Sequence, residues 1–134
     1  LLADFIFFVA YHIVKYRRDI VWKNLTNSFP GKSQAELRII EKDFYRNLAD
    51  TSVETVKLLT ISEEALLQRM KIDSSLTREY HRLGYSALGM TAHFCNWEWM
   101  LVVCSNQLGL KLHAAYQRLR NPFFNVLMMR IRSR

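Results

Sequence analysis

"YSALGMTAHFCNWEWMLVVCSNQLG", residues 85–109, is where the chain changes character. Its first eight residues are mostly apolar and bounded by Gly84 and His93, the length and composition of a buried strand. A helical pattern follows, with Asn96 placed to cap its start and Gly109 to stop it. The alternation recurs downstream. "KLHAAYQ" (111–117) reads as a second strand, and "NPFFNVLMMRIR" (121–132) as a helix with Asn121 as cap and Pro122 at its first position. Upstream, "MKID" (70–73) is a shorter strand candidate and "SLTREYHRLG" (75–84) is helix-like. Strand, helix, strand, helix predicts an α/β fold with a parallel pair of strands.

Before residue 70 the pattern is helical. "DIVWKNLTNSF" (19–29) carries Ile20, Val21, Leu25 and Phe29 at near-helical spacing and ends at "FPGKS". Ser33 with Glu36 three positions later is a capping box. From there Leu37, Ile40, Phe44, Leu48, Val53, Val56 and Leu59 recur at three to five residues, which predicts one long amphipathic helix over about 34–59. Ser62 followed by Glu63 and Glu64 starts a short helix to about Met70.

Both ends stop in mid-pattern, so a chain truncated at both ends is expected. Residues 1–14, "LLADFIFFVAYHIV", are apolar at most positions but shorter than the ~20 residues a bilayer span needs. With no basic start and no small-residue cleavage site, they do not read as a signal peptide. Residues 1–15 fit a partial membrane anchor or an interfacial helix, with Tyr11, Tyr16, Arg17 and Arg18 at headgroup level. Residues 16–134 then form the N-terminal part of a single domain.

A chain of 134 residues, half of them hydrophobic, can bury a core. Cys95 and Cys104 are too few for a disulfide framework, and neither has a partner at metal-ligand spacing, so both read as buried thiols with no metal site implied. The net charge of +7 suggests an anionic partner. Its distribution is more informative. No acidic residue follows Glu98, whereas Lys111, Arg118, Arg120, Arg130, Arg132 and Arg134 do. A solvated charged face normally mixes signs, and this tract does not.

His93 and Glu98 are the candidate catalytic pair. Within one regular helix, five residues turn through about 500°, leaving the side chains some 140° apart. If a strand ends at His93 and a helix starts near Asn96, the turn between them can return the carboxylate to the imidazole. Glu98 then lies in the first helical turn, where its charge is favourable. His93 lies at the carboxyl end of a strand, where open α/β sheets keep their sites. Such a pair suits a hydroxyl nucleophile. The imidazole takes the proton, and the carboxylate fixes the tautomer and stabilises the imidazolium. No serine or cysteine is placed as an enzyme nucleophile, so the substrate's own hydroxyl would attack. Spacing alone singles out nothing, because four histidines and 12 acidic residues make a chance match common.

The block "AHFCNWEW" resembles the "HFGNWE" motif of the lipid A late acyltransferases, within the glycerolipid acyltransferase superfamily and its His-x-x-x-x-Asp/Glu motif. The likeness continues in "YRRDIVWKNLTNSFPGKS", in "ETVKLL" and in "AAYQRLRNPFFNVLMMRIRSR", in order from about residue 16 to 134. It implies transfer of a fatty acyl chain from acyl carrier protein to a hydroxyl of a phosphorylated glucosamine lipid, at the cytoplasmic face of the inner membrane. His93 would be the general base and Glu98 its orienting carboxylate. Arg130 or Arg132 matches the family's later arginine, Asn121 its "NP" asparagine, and Asn96 the motif interior. With Arg118 these form the candidate substrate-binding set. Acyl carrier protein, the lipid acceptor and the membrane surface are the partners expected, with no cofactor beyond the acyl thioester and no metal. Cys95 departs from the family's usual glycine.

Two rivals stand beside this reading. One is the same chemistry on a lysophospholipid or another lipid acceptor. The other is a non-catalytic basic module that binds membranes. Nucleic acid is not an expected partner, since no recognition motif for it is present.

Overall fold

A computed structural model of the chain describes residues 1–92, 96–110 and 112–133. They divide into two compact units, Leu1–Glu54 and Thr55–Arg134.

In the first unit, α1 (Leu2–Phe8) runs directly into a π-helical turn, Val9–Ile13. Lys15 and Arg17 then adopt left-handed φ of 50° and 52°. Such backbone is costly for residues with a Cβ, so it persists only where its surroundings hold it. The bonds around the turn do so. Tyr45 donates its hydroxyl to the Tyr16 carbonyl at 2.6 Å, and Arg18 is fixed on Glu41. Next come α2 (Arg18–Ser28) and α3 (Gln34–Lys57), the latter ending inside the second unit.

The capping box closes as the sequence predicts. Glu36 N–H donates to Ser33 Oγ at 3.3 Å, and Ser33 N–H to Glu36 Oε2 at 2.8 Å. Ser33→Ala removes both the acceptor and the hydroxyl donor to Glu36 and is expected to lower stability by about 1 kcal/mol, read as a fall in thermal unfolding temperature. An unchanged unfolding temperature would mean that water replaces the box at no cost.

The buried stripe of α3 is Leu37, Glu41, Tyr45 and Ala49, at four-residue intervals. The stripe expected from apolar periodicity shares Leu37 but then runs one position off, through Ile40, Phe44 and Leu48. Phe44 is exposed, because two polar residues go inward with their partners instead. Glu41 is fully buried. Its oxygens accept from Arg18 Nε at 2.9 Å, Arg18 Nη2 at 3.2 Å and Arg38 Nη1 at 3.2 Å. Arg38 lies over the Trp22 ring, and Tyr11 packs edge-on against Tyr45.

In the second unit α4 (Glu63–Arg69), α5 (Ser75–Arg82), α6 (Trp97–Leu108) and α7 (Pro122–Arg132) follow their sequence signals closely. Ser62 Oγ accepts from Ala65 N–H, as an N-cap should. The core gathers Leu58, Ile61 and Leu66 with Trp99, Val102 and Val103 of α6 and Ile131 of α7. This packing is what sets α7 against α6. Gln107 ties the segment before α5 to α6, accepting from Ile72 N–H at 3.1 Å, and its carbonyl accepts from Arg78.

The α/β expectation is overturned. The described residues form seven α-helices and one π-helical turn, with no strand among them. Residues 70–73, 85–92 and 112–117 are irregular, so no parallel-strand core is present in the described residues. The reason lies in where strand hydrogen bonds go. A helix closes its own, whereas a strand exists only through a partner, and a lone pair is marginal. Composition supplied strand-like runs but no partner for them. Residues 85–92 lie exposed, with Leu88 and Met90 more than nine-tenths accessible. No helix among the described residues is long and apolar enough to cross a membrane.

Candidate active site

The site is built on the start of α6. Asn96 caps it, its Oδ1 accepting from Trp99 N–H at 3.2 Å. That cap fixes where the first turn begins, and so where Glu98 projects. Glu98 is 4% exposed, deep enough that its carboxylate needs partners. Among the described residues it has three donors. Arg132, in the last turn of α7, gives Nε to Oε2 at 2.8 Å and Nη2 to Oε1 at 2.5 Å. Trp97 gives its indole Nε1–H to Oε1 at 3.0 Å.

Arg132 is held from its other side by the ring of Tyr116, 5.1 Å from the guanidinium carbon. The hydrogen bonds to Glu98 push the Arg132 pKa further up, against the effect of burial, so its charge is permanent. A bidentate pair of this kind fixes the plane of the carboxylate as well as its position. Beside it lies a small open hollow of about 190 Å³ lined by Tyr116, Met129, Arg132 and Ser133. A larger hollow of about 630 Å³ runs along α4, lined by Glu63, Glu64, Leu67, Gln68 and Lys71, and contains none of the predicted site residues.

Of the catalytic pair, Glu98 takes the predicted place in the first turn of a helix capped by Asn96. His93 lies outside the described residues, as do Cys95, Lys111 and Arg134. Among the substrate-binding candidates, Asn96 and Asn121 cap α6 and α7. Asn121 Oδ1 accepts from Phe123 N–H at 3.0 Å and Phe124 N–H at 3.3 Å. Arg130 and Arg118 are exposed and make no ion pair with the described residues. Arg132 is the candidate the structure brings to Glu98. The sequence marked both residues but gave no sign that they meet, because the pair spans 34 positions and depends on the α6–α7 packing. Trp97 as a donor to its own neighbour was not anticipated either. An indole N–H beside a carboxylate at a helix start is the signal that was available.

Cys104 is half-buried, and burial pushes its thiol pKa up, which suits an inert side chain. The described residues contain no group of three or more His, Cys, Asp or Glu able to hold a metal.

A family model described as bacterial lipid A biosynthesis acyltransferase matches residues 2–134. No curated protein and no solved structure matches the chain.

Proposed function

We infer the reaction from one premise: this chain belongs to the bacterial lipid A biosynthesis acyltransferase family. Its general activity is acyl transfer from a donor to a lipid A-type acceptor. We propose that the donor is a fatty acyl thioester on acyl carrier protein and that the acceptor is a hydroxyl of a phosphorylated glucosamine lipid.

His93 takes the hydroxyl proton as the oxygen attacks the thioester carbonyl. The carbon–sulfur bond breaks, and the departing thiolate receives that proton. Glu98 accepts the other imidazole N–H and so holds the ring in the tautomer that leaves a nitrogen free to act as base. Transfer is direct, with no acyl-enzyme intermediate, and no step calls for a metal or an organic cofactor. The observation that carries this reading is the Glu98 carboxylate, buried and oriented at the start of α6, five residues after His93.

Arg118 and Arg130 suit the remaining tasks, because an exposed guanidinium can meet the acidic carrier or the acceptor phosphates. Asn96 and Asn121 act by fixing the helix starts that shape the site. Membrane contact at the cytoplasmic face of the inner membrane belongs to the same proposal. Exposed Phe5, Phe8, Ile13 and Val14, next to Lys15 and Arg17, support an interfacial attachment there.

The test offers acyl carrier protein bearing a labelled acyl chain to the full chain in membranes, with a lipid A precursor and a lysophospholipid as parallel acceptors. Label passes to the lipid A precursor. Transfer to the lysophospholipid alone would overturn the acceptor and keep the chemistry. Transfer to neither by folded protein would overturn the reading.

A further inference from the structure

We propose that Trp97 is a positioning residue for acyl transfer, acting through Glu98, and that with Arg132 it reserves Glu98 Oε2 for the imidazole N–H. This rests on the pairing of His93 with Glu98 proposed above.

A carboxylate offers about four acceptor directions, two on each oxygen. Oε1 receives Trp97 Nε1–H at 3.0 Å and Arg132 Nη2 at 2.5 Å, which fills it. Among the described residues, Oε2 receives only Arg132 Nε, at 2.8 Å. The described donors leave one direction, and it lies on Oε2. A histidine N–H that completes the carboxylate is therefore received there.

The two donors play different parts. Arg132 belongs to α7, so it ties the carboxylate to the packing of that helix against α6. Trp97 belongs to the same turn as Glu98, so its indole ties the carboxylate to the frame of α6 itself. Adjacent helix positions diverge by about 100° and do not ordinarily face one another. The half-buried Trp97 ring nevertheless turns its N–H back onto its neighbour. The terminal torsion of a glutamate is broad, so the carboxylate is held only as firmly as its donors are, and a fork on the long Arg132 side chain carries it along with any shift of α7. A third donor on Oε1, from the turn of α6 itself, resists that shift. Because Arg132 already balances the Glu98 charge, direction is the larger part of what Glu98 can give a histidine.

Trp97→Phe in the full chain, held in lipid nanodiscs, keeps an aromatic ring and deletes the donor. The expected result is a kcat lower by about tenfold, the scale of one lost hydrogen bond, with KM for donor and acceptor unchanged. Indole ¹⁵N spectra supply a readout that does not depend on turnover. The chain has three tryptophans, and the resonance absent from Trp97→Phe identifies the one concerned. In Glu98→Gln that resonance moves upfield, because an amide oxygen is a weaker acceptor than a carboxylate.

A raised KM at constant kcat would make Trp97 a wall of a substrate groove and overturn the proposal. So would unchanged kinetics, or an indole resonance indifferent to Glu98→Gln. Failure of the underlying pairing reads out separately: His93→Ala would then keep the full rate, whatever the indole resonance does.

Discussion

His93→Ala lowers acyl transfer by about 10³-fold or more, Glu98→Gln by a comparable factor, and the double variant is no slower than the slower single. General-base catalysis contributes about 10²–10⁴-fold, which sets the scale for removing the imidazole. An orienting carboxylate replaced by its amide can cost nearly as much, since the amide presents an N–H where the imidazole needs an acceptor and so favours the wrong tautomer. Residues that act as one unit lose the same contribution once, so their effects do not multiply. Rates are compared as kcat with saturating donor and acceptor. Glu98→Gln also strips the counter-charge from Arg132, so its unfolding temperature is measured alongside and the assay is run well below it. Single losses that multiply in the double variant would show two independent roles and sink the dyad. A full rate in His93→Ala would remove the base altogether.

How much of this could be read from the residues depends on how far each hydrogen bond reaches. The helices were legible because their signals are local. Ser33 with Glu36, Ser62, Asn96 with Gly109, and Asn121 with Pro122 each bound a helix where the structure has one. The strands were misread because an apolar run of eight says nothing about whether a neighbouring strand exists. Glu98 was singled out through its motif, and the helix start read from Asn96 puts it in the first turn of α6, where the structure has it. Its partner was not legible: Arg132 reads from the sequence as a substrate-binding candidate, and only the packing of Ile131 with Val103 and Trp99 turns the adjacent guanidinium inward. The same limit hid Arg18 and Glu41, 23 positions apart, and with them the true inner face of α3.

That second buried pair yields the largest expected loss of stability. Glu41→Ala destabilises the protein by about 3–5 kcal/mol, because it leaves two arginines aimed at a site with no anion. Arg18 keeps about a quarter of its side-chain surface in contact with water and can partly relax outward, which places the loss at the lower end. For a chain of this size that corresponds to a fall of roughly 10 °C in unfolding temperature. The loss depends on pH. Burial pushes the Glu41 carboxyl up, but hydrogen bonds from Arg18 and Arg38 outweigh it and hold the group below its ordinary value of 4.5. Its folded-state value is therefore below its unfolded one. The stabilisation is fully present above about pH 4.5 and drains away as pH falls through and below that point. Thermal unfolding of wild type and Glu41→Gln at a series of pH values isolates this group, because other carboxylates such as Glu36 and Asp73 titrate in both proteins. The gap between the two curves is widest near neutrality and closes as the solution becomes more acid than pH 4.5. A gap that stays constant down to strongly acid pH would mean that Glu41 holds the Lys15–Arg17 turn by shape alone, with its charge contributing nothing.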